Sequence, residues 1–225
     1  MIHENNDRQD NKTLIKPFRR IGPLDAYIYK QGTNEEDVKE VQNNVVINTH
    51  VLTLREEKKE TIMHIFTDGA CPNNGKKGAN AAWGSLLVTD LPYIVLERLS
   101  GAIPLSESQT NQRAELTALL RGLELAEKQL SRVPDLKKVQ IWSDSEYSIN
   151  CASVWGPRWR ARGWKKQGGE IQHLDLIKVL VEKTLDLGFK IEYKWLKGHK
   201  KGESQHAFPW KFNHLVDELA NSALR

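Results

Sequence analysis

Cysteines and long apolar runs are both scarce in this sequence, and their scarcity excludes several classes of protein. Only two cysteines occur, Cys71 and Cys151, and they form no CxxC pair, which argues against a disulfide framework or a cysteine zinc site. No apolar run approaches the roughly 20 residues that span a membrane, and the polar start MIHENNDRQDNK lacks the apolar core of a signal peptide. We therefore expect a soluble intracellular protein, cytoplasmic or nuclear, with no membrane segment.

The charge is nearly balanced overall but unevenly distributed. The net charge is +4; residues 1–60 hold 10 Lys and Arg against 11 Asp and Glu, whereas residues 61–225 hold 23 against 18. The stretch WGPRWRARGWKK at 155–166 carries five cations, three tryptophans and no acid. Cations neutralise backbone phosphates and indoles stack on sugars or bases, so this stretch predicts a surface that binds nucleic acid.

The chain divides into a weakly patterned first part and a strongly patterned second part. Within residues 1–60, DAYIYK and NVVINTHVLTL are typical of strands, and the charged REEKKE at 55–60 is typical of a linker. We expect residues 1–60 to be a partly disordered N-terminal extension of unassigned role, and residues 61–225 to be the main domain.

Residues 61–225 predict an α/β fold in which helices flank a mixed five-stranded sheet. Leucines recur at helical spacing between 111 and 130, with Thr110 or Asn111 as the N-cap. The other expected helices cover 145–153, 174–187 and 213–224. Strands are predicted at 61–67, 81–88, 93–99, 139–142 and 189–196.

Four carboxylates fall at strand ends or helix starts of this predicted fold. Asp68 and Asp144 end strands, and Glu115 and Asp217 lie in the first turns of helices. Strand ends and helix starts meet at one edge of such a sheet, where the four charges would repel one another and raise one another's pKa values. Mg²⁺ or Mn²⁺ relieves that repulsion with oxygen ligands. Taken singly, each residue is explained as well by a turn or a helix cap.

Five sequence motifs favour a metal site over ordinary turns and helix caps. They are IFTDG at 65–69, TNQRAE at 110–115, WSDS at 142–145, Gly198-His199, and DELA at 217–220. In this order they resemble type 1 ribonuclease H, over roughly residues 62–225. The resemblance implies the ribonuclease H-like fold and an endonuclease that hydrolyses the RNA strand of RNA/DNA hybrids with two Mg²⁺ ions, for which Mn²⁺ can substitute, leaving 3′-hydroxyl and 5′-phosphate ends. It implies Asp68, Glu115, Asp144 and Asp217 as metal ligands, and His199 as the loop histidine that assists proton movement and product release.

The resemblance also implies which residues contact the hybrid. Asn74, Asn111 and Gln112 match positions near the metals, where amide groups suit recognition of the 2′-hydroxyl. Thr110 matches part of a DNA-phosphate pocket, although Ser108 stands where many relatives carry a basic residue. The expected DNA-strand channel and basic protrusion comprise Tyr147, Trp155, Arg158, Arg160, Lys165 and Lys166. Trp159 and Trp164 are expected in the core more readily than Trp155.

Alternatives remain open on the sequence alone. The segment between His199 and Asp217 is longer than in compact bacterial members and resembles some retroviral domains, so the chain could be the ribonuclease H domain of a reverse transcriptase. Residues 1–60 show no polymerase site, and a chain starting at Met1 favours a free-standing protein, which we expect to be a monomer. A non-cleaving hybrid-binding module is a further alternative. A transposase or integrase ranks last, because neither is expected to carry TNQRAE.

Overall fold

The computed structural model describes residues 61–197 and 207–224, together with the backbone of two short N-terminal strands. These strands, β1 (Asn44–Ile47) and β2 (His50–Thr53), pair antiparallel. They fall inside the stretch NVVINTHVLTL, for which the sequence predicts extended structure. The other predicted N-terminal strand, DAYIYK, lies outside the described residues.

The main sheet has five strands in the order β5-β4-β3-β6-β7. Strand β4 is antiparallel to β3 and β5, whereas β6 is parallel to both β3 and β7. The predicted mixed five-stranded sheet is thus confirmed. The strands are β3 (Thr61–Ala70), β4 (Ala82–Thr89), β5 (Val95–Ala102), β6 (Leu136–Ser143) and β7 (Ile191–Trp195).

Five α-helices accompany the sheet within residues 61–197 and 207–224, and most of them lie where the sequence predicts. Thr110 caps the first helix, because its side chain accepts a hydrogen bond from the backbone N–H of Arg113. Between the second and third helices, Cys151–Trp155 forms a π-helical turn. The helices are α1 (Asn111–Arg132), α2 (Glu146–Asn150), α3 (Gly156–Ala161), α4 (Leu174–Leu187) and α5 (Trp210–Ser222). Among the described helices, none is long and apolar enough to cross a bilayer.

The start of α5 corrects one prediction. The helix begins at Trp210, not at Asn213, so Asp217 lies in its third turn and not in its first turns. Packing explains the earlier start: Phe208 stacks on Tyr93 with ring centroids 4.2 Å apart, and Phe212 is buried in the core. The apolar side chains on both sides of Pro209 therefore hold the first turn against the sheet.

Helices cover both faces of the sheet. Successive side chains of β3 point to opposite faces. On one face, Ile65 joins the core that α1 and α4 build. On the other face, Phe66 joins a second core with Phe212 and Val216 of α5. Asp68 follows on β3, and it is a buried polar residue of that strand. The start of α1 and the middle of α5 are thereby both brought to the end of β3.

Candidate active site

A glycine brings the first two carboxylates together. A Cβ placed on Gly69 would lie 2.3 Å from the backbone nitrogen of Glu115, so only glycine lets α1 approach β3 this closely. The N–H of Gly69 also donates to Asp68 Oδ1 at 2.8 Å. The close backbone contact between β3 and α1 therefore sets Glu115 beside Asp68.

A second glycine has the same effect on the other face of the sheet. A Cβ on Gly84 of β4 would lie 2.8 Å from the carbonyl oxygen of Val216 in α5. The absence of a side chain at this position lets α5 lie directly on β4. The residue that follows Val216 is Asp217, so this contact sets the distance between the fourth carboxylate and the sheet.

Three of the four predicted carboxylates form one cluster. Asp68, Glu115 and Asp144 each offer an oxygen, and these atoms all lie within 4.8 Å of one another. Asp68 and Glu115 are buried, with 6% and 7% of their surface exposed, whereas Asp144 is exposed. Within the described part of the chain, Glu115 Oε2 is buried without a hydrogen-bond partner.

The electrostatics of the cluster match a cation site. Burial, followed by the charges of Asp144 and Asp217, raises the pKa of Asp68 to about 8. Burial and the charges of Asp68 and Asp144 raise the pKa of Glu115 well above its ordinary value. Carboxylates that are costly to ionise and include an unpartnered buried oxygen fit a hard divalent cation, which stabilises the ionised form.

Asp217 completes the acidic region from α5. It is exposed, and its charge is near enough to raise the pKa of Asp68. Its Oδ1 accepts a hydrogen bond from Asn221 Nδ2 at 2.9 Å. The structure thus brings all four predicted carboxylates to one end of β3, three of them in direct proximity.

The turn that carries Asp144 is held by several hydrogen bonds. Ser143 Oγ accepts from the backbone N–H of Ser145 at 3.1 Å, and Ser145 caps α2 by accepting from the N–H of Ser148. Trp195 Nε1 donates to the carbonyl oxygen of Asp144 at 3.1 Å. These contacts fix the backbone on both sides of the carboxylate.

The predicted hybrid contacts near the carboxylates gather at the start of α1. Asn74 Oδ1 accepts from the backbone N–H of Asn111 at 3.1 Å, which ties the loop after β3 to the helix. Gln112 is exposed beside them. Thr110 Oγ1 lies 3.5 Å from His173 Nε2, and Ser108 is exposed. Gly198 and His199 lie outside the described residues.

A groove of about 520 Å³ runs beside this helix start. Gln112, Tyr147, Trp155, Arg162 and Lys166 are among the residues that line it. The rings of Tyr147 and Trp155 meet edge to face, with centroids 6.0 Å apart. A groove with aromatic walls and cations at its side has the features of a nucleic-acid strand site.

The cations of the stretch 155–166 point in different directions. Arg162 and Lys166 line the groove, whereas Arg160 forms an ion pair with Glu182 of α4. Arg158 and Lys165 are exposed and do not line this groove. The sequence predicts contacts from Arg158, Arg160, Lys165 and Lys166 but not from Arg162, because charge along the chain does not reveal which way a side chain points.

The tryptophans of the same stretch differ in burial, in the way that the sequence predicts. Trp159 and Trp164 pack against the main core. Trp155 is 37% exposed, which leaves its ring accessible from the groove.

A family model described as RNase H matches residues 59–225. The chain belongs to the RNase H family. This match confirms the resemblance that the five motifs indicated. Among curated relatives of the family, a ribonuclease H of Thiobacillus denitrificans is 33% identical over 164 residues, which is 72% of this chain and 93% of that protein. A ribonuclease H of Pseudomonas fluorescens is 35% identical over 160 residues, 71% of this chain and 89% of that protein.

Solved structures show the same RNase H-like fold. The PFV RNase H domain matches with a TM-score of 0.57 and 24% identity, over 73% of this chain and 93% of that one. A foamy viral protease-reverse transcriptase, solved in complex with an RNA/DNA hybrid, matches with a TM-score of 0.58 and 17% identity, over 79% of this chain and 23% of that one. At these identities the likeness establishes the fold alone.

Proposed function

We propose that this protein is an endonuclease that hydrolyses the RNA strand of RNA/DNA hybrids. The observation that carries the proposal is the cluster of Asp68, Glu115 and Asp144, whose oxygens lie within 4.8 Å of one another in a chain of the RNase H family. Such a cluster has no evident structural use, because Asp68 and Glu115 are buried beside the charge of Asp144, and this repulsion costs stability.

The residues that would hold the metal are the three clustered carboxylates and Asp217. When bound, two Mg²⁺ ions, or Mn²⁺ in their place, supply the Lewis acidity that activates a water and stabilises the leaving 3′-oxygen. That chemistry leaves 3′-hydroxyl and 5′-phosphate ends. The chain contributes the anionic oxygens and, through the contact of Gly69 with α1, their fixed separation.

Residues at the start of α1 and in the adjoining groove would distinguish the RNA strand from the DNA strand. Asn74, Asn111 and Gln112 would contact 2′-hydroxyls of the RNA strand near the carboxylates, since amides both donate and accept hydrogen bonds. The groove would hold the DNA strand, with Tyr147 and Trp155 against its sugars or bases. His199 would assist proton transfer and product release, the role that the family resemblance implies.

Of the two alternatives, one predicts binding without cleavage and the other predicts the same cleavage. A non-cleaving binding module has no need of assembled carboxylates, and their proximity argues against it. A ribonuclease H domain of a reverse transcriptase would share the chemistry proposed here, and the likeness to foamy-virus structures extends to the fold alone.

We also propose that residues 61–225 form the catalytic domain and residues 1–60 an extension outside it. The family match, which starts at residue 59, supports this division. The proposed substrate forms inside cells, which supports an intracellular protein, and a monomer carries every residue that the proposed reaction uses.

The proposal is tested with a panel of end-labelled substrates in Mg²⁺. We expect cleavage of the RNA strand of a hybrid, and no cleavage of its DNA strand, of duplex RNA, of duplex DNA or of single-stranded RNA. The RNA fragments should carry 3′-hydroxyl ends that a template-independent polymerase extends. Comparable cleavage of duplex RNA or single-stranded RNA would overturn the proposed specificity.

The groove gives a separate prediction about binding. Replacing Arg162 and Lys166 together by alanine should weaken hybrid binding roughly tenfold and lower the salt slope by about 1 for each phosphate that is no longer neutralised. Affinity is measured across a salt series in EDTA, so that no cleavage interferes.

The matched control removes two cations at the opposite end of the sheet. Arg132 ends α1 and Lys137 lies at the start of β6, far along both elements from Glu115 and Asp144. The double variant R132A/K137A should bind nearly as the wild type does. An equal loss in both double variants would show that total charge, and not the groove, determines binding.

A further inference from the structure

The helix α5 carries an amide next to the fourth carboxylate. Asn221 lies four residues after Asp217, and residues at this spacing are neighbours on one helix face. Asn221 Nδ2 donates to Asp217 Oδ1 and to the carbonyl oxygen of Asp217, both at 2.9 Å. One amide group therefore holds both the side chain and the backbone of Asp217.

This pair of contacts restricts the carboxylate of Asp217. An exposed aspartate exchanges between side-chain rotamers, and fixing one costs conformational entropy. Since Oδ1 accepts from Asn221, the carboxylate is held in one rotamer before any cation binds. The charge of Asp217 acts on Asp68, so the carboxylate that Asn221 holds lies near that cluster.

The hydrogen-bond donor to Asp217 is a neutral amide, and its lack of charge is important for a cation site. A lysine or arginine at this place would hold the carboxylate but would bring a positive charge that repels a divalent cation. The amide of Asn221 donates hydrogen bonds without carrying charge. It orients Asp217 and leaves the full negative charge of the carboxylate available.

We propose that Asn221 is a positioning residue that pre-orients Asp217 for binding the divalent cation. The inference rests on the proposed function and deepens it. Groups that orient metal ligands are generally worth 10–100-fold in metal affinity or activity when they are removed. The role of Asn221 is expected to appear in metal binding first, since its side-chain amide bonds Asp217 and does not line the groove.

The test compares Asn221→Ala with the wild type in two assays. Alanine favours the helix, so α5 is preserved. Direct Mg²⁺ binding to the protein without nucleic acid, measured by calorimetry, should weaken roughly tenfold. The Mg²⁺ concentration for half-maximal hybrid cleavage should rise by a similar factor, while the rate at saturating Mg²⁺ changes little.

Two further variants make the outcome specific. Asn221→Gln keeps an amide donor on a longer side chain and should recover part of the affinity. Ser222→Ala is the matched control. The exposed Ser222 hydroxyl donates to the carbonyl oxygen of Leu219 and not to Asp217, so this substitution should leave Mg²⁺ binding unchanged.

The two proposals fail in distinguishable ways. Unchanged Mg²⁺ binding in Asn221→Ala, with the helix content retained, would overturn the positioning role whether or not the wild type cleaves hybrids. Equal weakening in Ser222→Ala would also overturn it, since the effect would then belong to the helix end as a whole. A wild type that binds Mg²⁺ but leaves hybrids intact would overturn the proposed function alone.

Discussion

Replacing Asp68 by asparagine should lower hybrid cleavage by about 10³-fold or more and should make the metal-free protein more stable. The cleavage defect follows from the loss of an anionic metal ligand, which is worth several kcal/mol of transition-state stabilisation. The stability gain follows from burial: the neutral amide has nearly the size of the carboxylate but does not repel Asp144 and Asp217. Single-turnover cleavage and thermal melting in EDTA measure the two effects.

The stability gain has a defined pH dependence. The pKa of Asp68 is raised in the folded protein from 3.8 to about 8, so the folded state favours the protonated carboxyl. The stability that this carboxyl contributes is present below its unfolded pKa and is lost as the pH rises through the folded value. The melting temperature of Asp68→Asn should therefore exceed that of the wild type by an amount that grows between pH 5 and pH 8, to about 2–4 °C for each kcal/mol gained.

The control for this experiment is Asp135→Asn. Asp135 is exposed in the turn before β6, so its replacement should change stability by no more than about 0.5 kcal/mol and leave cleavage intact. Near-normal cleavage by Asp68→Asn would remove Asp68 from the metal site. Equal melting of wild type and Asp68→Asn at every pH would mean that burial and the charges of Asp144 and Asp217 do not disfavour ionised Asp68.

Replacing Gly69 by alanine should destabilise the protein strongly. The new Cβ would meet the backbone nitrogen of Glu115 at 2.3 Å and the carbonyl carbon of Ala114 at 2.6 Å. Backbone atoms in the first turns of a packed helix cannot turn aside as a flexible side chain can, so α1 must move away from β3. We expect a loss of about 3 kcal/mol or more, measured by denaturant unfolding, and reduced cleavage because Glu115 moves with the helix.

Gly101→Ala is the matched comparison. Gly101 also lies in a strand, but a Cβ there would meet the Trp83 side chain, at 3.1 Å. A side chain of this kind can shift, so the cost should stay within about 1 kcal/mol. If both alanine variants lose the same stability, the close approach of β3 and α1 is not what makes Gly69 necessary.

The sequence predicted most of the elements because their apolar patterns are local. The leucines of α1 recur at helical spacing, and the structure places the helix at Asn111–Arg132. The four carboxylates could be selected because each stands in a motif with its neighbours along the chain. Their meeting at one end of β3 followed from the order of strands and helices.

The features that the sequence did not reveal depend on contacts between distant residues. The pair Asp68-Gly69 looks like a turn, whereas Gly69 lies within β3 and is needed because α1 approaches there. The sequence predicts that the last helix begins at Asn213, yet Asn213 is buried inside α5, because Phe208 packs on Tyr93 and the helix starts earlier. Arg160 and Arg162 are two residues apart, yet Arg160 pairs with Glu182 of α4 whereas Arg162 lines the groove.

The most direct test of the central claim follows one hybrid, with both strands labelled, from binding to cleavage. In EDTA we expect the protein to bind the hybrid and to leave both strands whole. Addition of Mg²⁺ to the same complex should cut the RNA strand and spare the DNA strand. RNA cleavage that persists in EDTA, or a hybrid that stays bound and intact in Mg²⁺, would contradict the assignment of the carboxylate cluster as the catalytic metal site.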